Sequence, residues 1–147
     1  MGSFWSLQSR KYSNVYISGR RYNSSDDVAC YWKVGGSEVE VCDVDSVANA
    51  ITAVGSDIYT AGNYYDSTDY VACYWKGTAK KDLKPSGSTW SDATGIAVSG
   101  GTVYVSVSYG TTSGKEKACY YKDGVKQPDL SKPAGAEDYY AAGIYVK

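Results

Sequence analysis

The chain has 147 residues and a mass of 15.8 kDa, with 15 basic and 16 acidic side chains for a net charge of −1. A single compact domain of this size buries roughly 70% of its unfolded surface without disulfide help, and the balanced charge, with Arg20-Arg21 and Lys80-Lys81 far apart, argues against nucleic acid as a partner. No run approaches the ~18 apolar residues of a membrane span, so membrane insertion is not expected, and Met1-Gly2-Ser3 lacks the basic and apolar regions of a secretion signal.

Along the chain the same four short runs recur, here named A, B, C and D. Phe4-Trp5-Ser6-Leu7 is a poor copy of A, followed by Val15-Tyr16-Ile17 as B, Ala29-Cys30-Tyr31-Trp32-Lys33 as C and Val41 in D. The second set aligns as Ile51, Ile58-Tyr59-Thr60, Ala72-Cys73-Tyr74-Trp75-Lys76 and Leu83. The third reads Thr94 to Val98, Thr102 to Val107, Ala118-Cys119-Tyr120-Tyr121-Lys122 within Lys117 to Tyr121 and beyond, and Lys126 to Leu130. Ala141 to Lys147 then matches A once more. The units are approximately residues 11–47, 48–92 and 93–139, with a closing strand at 140–147.

Cys30 and Cys73 are 43 residues apart and Cys73 and Cys119 are 46 apart, a period that marks units stacking on copies of themselves. The B-to-C spacing is tighter still, at 15, 15 and 16 residues from Val15, Ile58 and Val103 to the cysteines. The runs are β-branched and aromatic, Ser99-Gly100-Gly101 and Asp123-Gly124 read as turns, and no window carries a helical apolar stripe. The class is all-β. Runs A to C are apolar on both faces while D is polar, which fits four-stranded β-propeller blades with A innermost and D at the rim. A β-trefoil is the alternative, since it also has three four-stranded units.

Ala-Cys-Tyr-Trp-Lys, a glycine-containing turn, Asp-Leu, then Ala-Thr-Gly-Ile-Ala-Val-Ser-Gly resembles the bacterial HAF-type and related tryptophan-lysine repeats, over Val15 to Lys147. The resemblance implies propeller-like arrays and an extracellular or cell-surface setting, and it brings no catalytic motif. The chain departs from the pattern at Tyr121, which stands where the earlier units have Trp, and in its turn sequences. A final A strand and an initial B-C-D set are complementary halves of one blade. Three blades make too tight a ring, so two chains are expected to exchange C-terminal strands in a six-bladed homodimer; the alternative is a piece of a longer array.

The three repeated cysteines read as small buried apolar side chains, because equivalent positions in stacked units lie beyond the ~7 Å that a disulfide spans. Cys42 has no counterpart, and reaching Cys30 across a hairpin depends on a register uncertain by one residue. The chain has no histidine, no GxSxG, no Walker-type loop and no CxxC. Asp26-Asp27 and Asp43-Val44-Asp45 read as solvated loop acids, so no catalytic residue, metal or cofactor is expected and the protein is read as a non-enzyme.

What remains is 16 Tyr and 4 Trp. In an up-and-down blade the B-C and D-A connections share one face, which collects Tyr22, Tyr64, Tyr65 and Tyr109 from the former and Trp90, Tyr139 and Tyr140 from the latter. Asn23, Asn63, Asp66 and Ser67 lie between them. Rings with a polar tip suit sugars and protein epitopes alike. The expected function is a lectin-like or adhesin-like module binding a glycan or a protein, against a structural or assembly protein whose tyrosines cap the blades.

Overall fold

The computed structural model describes residues 14–147; the Phe4 to Leu7 run lies outside the described residues. Ten strands and no helix follow one another: β1 Tyr16–Tyr22, β2 Asp27–Lys33, β3 Glu38–Val54, β4 Asp57–Tyr65, β5 Tyr70–Lys76, β6 Ala79–Asp82, β7 Ser88–Ser99, β8 Thr102–Thr111, β9 Glu116–Lys122 and β10 Val125–Lys126. All pairings are antiparallel between chain neighbours, giving a six-stranded sheet β1-β2-β3-β4-β5-β6 and a four-stranded sheet β10-β9-β8-β7. Neither sheet closes into a barrel, the feature a trefoil requires.

The repeat is visible in the register. Cys30 lies opposite Gly19, Cys73 opposite Gly62 and Cys119 opposite Val107, and each cysteine is the central residue of a seven-residue strand. All three cysteines are fully buried and free, as the sequence reading expected, and Cys42 is free and half-buried. β6 and β10 are exposed throughout, whereas Val41 and Leu83, which the sequence also assigns to the fourth run, are buried. Turns fall where the glycines place them: Gly100 and Gly101, at φ 57° and 81°, give the two positive-φ positions of a tight hairpin between β7 and β8.

Three differences from the sequence reading have physical causes. The fourth run of the first unit and the first run of the second fuse into the 17-residue β3, whose early part pairs with β2 and whose later part pairs with β4. The last fourth run is only Val125–Lys126, because Pro128 has no amide hydrogen to continue a ladder. Residues 140–147 form no strand, since no neighbour offers them a ladder among the described residues.

Two apolar clusters join the units. Ala29, Val41, Ala48, Cys73 and Trp75 tie the first to the second, while Tyr59, Leu83, Ile96, Val105, Tyr109 and Tyr121 belong to the cluster between the second and third. β7 runs across β3, β4 and β5, which buries both faces of the middle strands. A polar stitch repeats beside these clusters. The Ala29 amide donates to the buried Ser46 hydroxyl at 2.9 Å, and the Ala72 amide donates to the buried Ser91 hydroxyl at 2.9 Å.

Candidate functional site

At one register in each unit a side chain on the second run reaches over the pentapeptide strand to the polar edge. Arg21 pairs with Glu38 and Glu40; Tyr64 donates to Asp82 at 3.1 Å beneath Lys80, whose Nζ is 3.1 Å from the ring centroid; Tyr109 donates to Asp129 at 2.7 Å with the Lys126 Nζ 5.5 Å from its ring. The three clamps occupy matching positions, since Glu38, Lys80 and Lys126 face Trp32, Trp75 and Tyr121. Burial, then the Asp129 carboxylate, pushes the Tyr109 phenol far up. Burial works against the Asp129 carboxylate, but Lys126 and Tyr109 hold its pKa below the ordinary value. Sequence pattern alone does not reveal that one unit uses an ion pair where the others use tyrosine, a lysine and a carboxylate.

This geometry sorts the expected aromatic face. Tyr109 is buried, and Tyr64 is half-buried under Lys80, so both act as clamps. Trp90 lies over Gly110, where an added Cβ would come within 2.3 Å of its indole nitrogen, so it covers a strand backbone. Tyr139 is half-buried, its amide donating to the Glu116 carbonyl at 3.3 Å. Tyr22, Tyr65 and Tyr140 are exposed. Tyr70 joins them although the sequence reading passed over it: it faces Tyr65 across the hairpin, the ring centroids 5.4 Å apart, and its hydroxyl donates to Asp45 at 2.8 Å. The signal was the four-residue span Asp66 to Asp69, which makes its two flanking tyrosines a cross-strand pair.

The loop tips are ordered by their own polar groups. Asn23 accepts the Ser25 and Asp26 amides, and Asp66 accepts the Thr68 and Asp69 amides at 2.9 Å, with Ser24 and Ser67 at positive φ in the matching positions. Those two backbone amides hold the Asp66 carboxylate below its ordinary pKa. Lys84 then pins the second loop through Asp66 and Asp69.

Asp43 and Asp45 are strand residues of β3 rather than the loop acids the sequence implied. The paired positions jump from Glu40 opposite Cys30 to Asp45 opposite Val28, so Val41 to Val44 bow away from β2. The bow opens a cleft of about 500 Å³ toward β4, β5 and β6, lined by Cys42, Asp43, Tyr65, Ser67, Trp75 and Lys80 among others. Trp75 is fully buried and its indole N–H has no hydrogen-bond partner among the described residues. A buried donor left unpaired costs about 1–3 kcal/mol.

The described residues contain no group of three or more His, Cys, Asp or Glu side chains able to hold a metal. Among the described residues no helix is long and apolar enough to cross a membrane. Comparison with protein-family models, with curated proteins and with solved structures gave no match.

Proposed function

We propose that this protein is a non-catalytic recognition module of the β-propeller type, in which each unit is a blade and two copies complete a six-bladed ring by exchanging residues 140–147. The observation that carries the ring is the seat of that segment. Ala141 exchanges hydrogen bonds with the Ser108 hydroxyl, and Gly143 and Ile144 lie so close to Gly95 that a Cβ there would be 2.7 Å and 2.8 Å away. The segment thus lies beside the third unit in the place β7 holds beside the second, and it repeats the sequence of Ala93 to Val98. β1 meanwhile offers an edge with no paired strand among the described residues. Joining the two covers both unpaired edges.

Light scattering on a sizing column across a dilution series tests this: the intact chain is expected at twice 15.8 kDa, and a chain lacking Ile144 to Lys147 at the monomer mass. An intact chain that is monomeric throughout sinks the ring. The likeness to the tryptophan-lysine repeats supports an extracellular or surface setting for it.

In this arrangement Tyr22, Tyr65, Tyr70 and Tyr140 are exposed aromatic groups of the loop face that can meet a glycan or a protein. The second reading, an assembly protein with no small-ligand site, draws on the clamp roles of Tyr64 and Tyr109.

A further inference from the structure

We infer that the cleft behind the bow of β3 is a saccharide subsite that takes one neutral pyranose ring, with Tyr65 at its rim and the Trp75 indole N–H as a donor to a sugar oxygen. The inference rests on the reading of the chain as a recognition module, and not on the ring, because the cleft lies within one copy.

The first support is that the cleft is particular to one junction. Between the second and third units the chain leaves β6 through Leu83 and Pro85, both fully buried, and Leu83 packs into the cluster with Tyr109 and Tyr121. At the matching places between the first and second units stand Val41, which is buried in the cluster with Ala29 and Trp75, and Asp43, which is exposed where the strand bows. A crevice that Pro85 closes at one junction is open beside Asp43 at the other, at about 500 Å³. That volume falls in the range of about 300–1,000 Å³ of small-ligand sites.

The second support is the unpartnered indole. Trp75 lines this cleft, is 0% exposed, and keeps an N–H without a partner; the matching residue in the third unit, Tyr121, lies in the filled junction. Of the three buried side-chain polar atoms without a partner among the described residues, the Trp75 Nε1 alone belongs to the lining of this cleft, and a small shift of the wall offers it to an acceptor that arrives there.

The third support is charge. Lys80 is matched by Asp82, and Asp66 by Lys84, so the lining offers paired charges, the Ser67 hydroxyl, the Asp43 carboxylate and an aromatic ring. Sugar hydroxyls both donate and accept, and the C–H face of a pyranose stacks on a ring such as Tyr65. A phosphate or a carboxylate ligand would meet the Asp43 carboxylate unfavourably.

The test uses the intact chain and four probes: glucose, galactose, mannose and N-acetylglucosamine. Nitrogen-15 correlation spectra are recorded on titration, with the Trp75 indole signal assigned from Trp75→Phe. At least one sugar is expected to move that signal. Tyr65→Ala and Asp43→Asn should each weaken the binding about tenfold with an unchanged melting temperature. If no sugar moves the Trp75 indole signal, the inference is overturned. Sugar-induced shifts elsewhere, undiminished in both variants, also overturn it, while leaving the recognition module standing. Failure of the module itself would show instead as a chain whose exposed-tyrosine variants change no binding to any glycan or protein.

Discussion

Replacing Ser91 with alanine isolates the stitch that joins successive units. The Ser91 hydroxyl accepts the Ala72 amide at 2.9 Å, and both residues are 0% exposed. Alanine removes the acceptor and leaves a space one oxygen wide, too small for a water molecule to enter in its place. The Ala72 N–H is then buried without a partner, which costs about 1–3 kcal/mol, with about 2 kcal/mol as the central figure. For a domain of this size that loss lowers the thermal midpoint by about 4–8 °C. Urea unfolding followed by tryptophan fluorescence is the assay: the midpoint concentration should drop while the slope stays fixed, because the surface exposed on unfolding is unchanged. Ser46→Ala removes the matching bond to Ala29 and should behave alike, although Ser46 also donates to the Val44 carbonyl at 2.6 Å. Ser113→Ala, at an exposed loop tip, is the control and should change little. A Ser91→Ala protein as stable as its parent would refute the assignment of this hydroxyl as a structural acceptor.

The Asp92 carboxylate is set against burial and is held only by the neutral amides of Asn49 and Asn63, at 2.8 and 2.7 Å, so its pKa lies above the ordinary 3.8. The folded state therefore binds this proton more tightly than the unfolded chain, and stability falls as pH rises from 3.8 through the raised value. Asp92→Asn should stabilise the protein at neutral pH and lose that advantage in acid; an equal gain at both pH values in thermal melts would contradict the reasoning. Burial raises the Cys30 and Cys119 thiols to about 11 and the Cys73 thiol well above its ordinary value, whereas Cys42 lines the open cleft. A chromogenic disulfide reagent at mildly alkaline pH should label Cys42 alone in the native protein and all four cysteines after denaturation. Rapid native labelling that survives Cys42→Ser would refute this.

The all-β class, the buried cysteines and the glycine turns were legible in the sequence, because each rests on local chemistry that recurs along the chain. Cys30, Cys73 and Cys119 announce equivalent environments, and Ser99-Gly100-Gly101 can hardly be anything but a turn. The sequence also marked the tyrosines as a group, yet it did not separate the buried Tyr109 from the exposed Tyr65, since both lie in the last residues of the second strand of a unit, close to a loop. The structure decided that through their partners: Asp129, 20 residues on, for one, and Tyr70, across a short hairpin, for the other. The cleft depended on it most of all. Its walls come from two units, and it exists because Val41 to Val44 lose register with β2 while Pro85 fills the corresponding space one unit later. Periodicity specifies what neighbouring units share, and the departures that make a site are settled by packing between them.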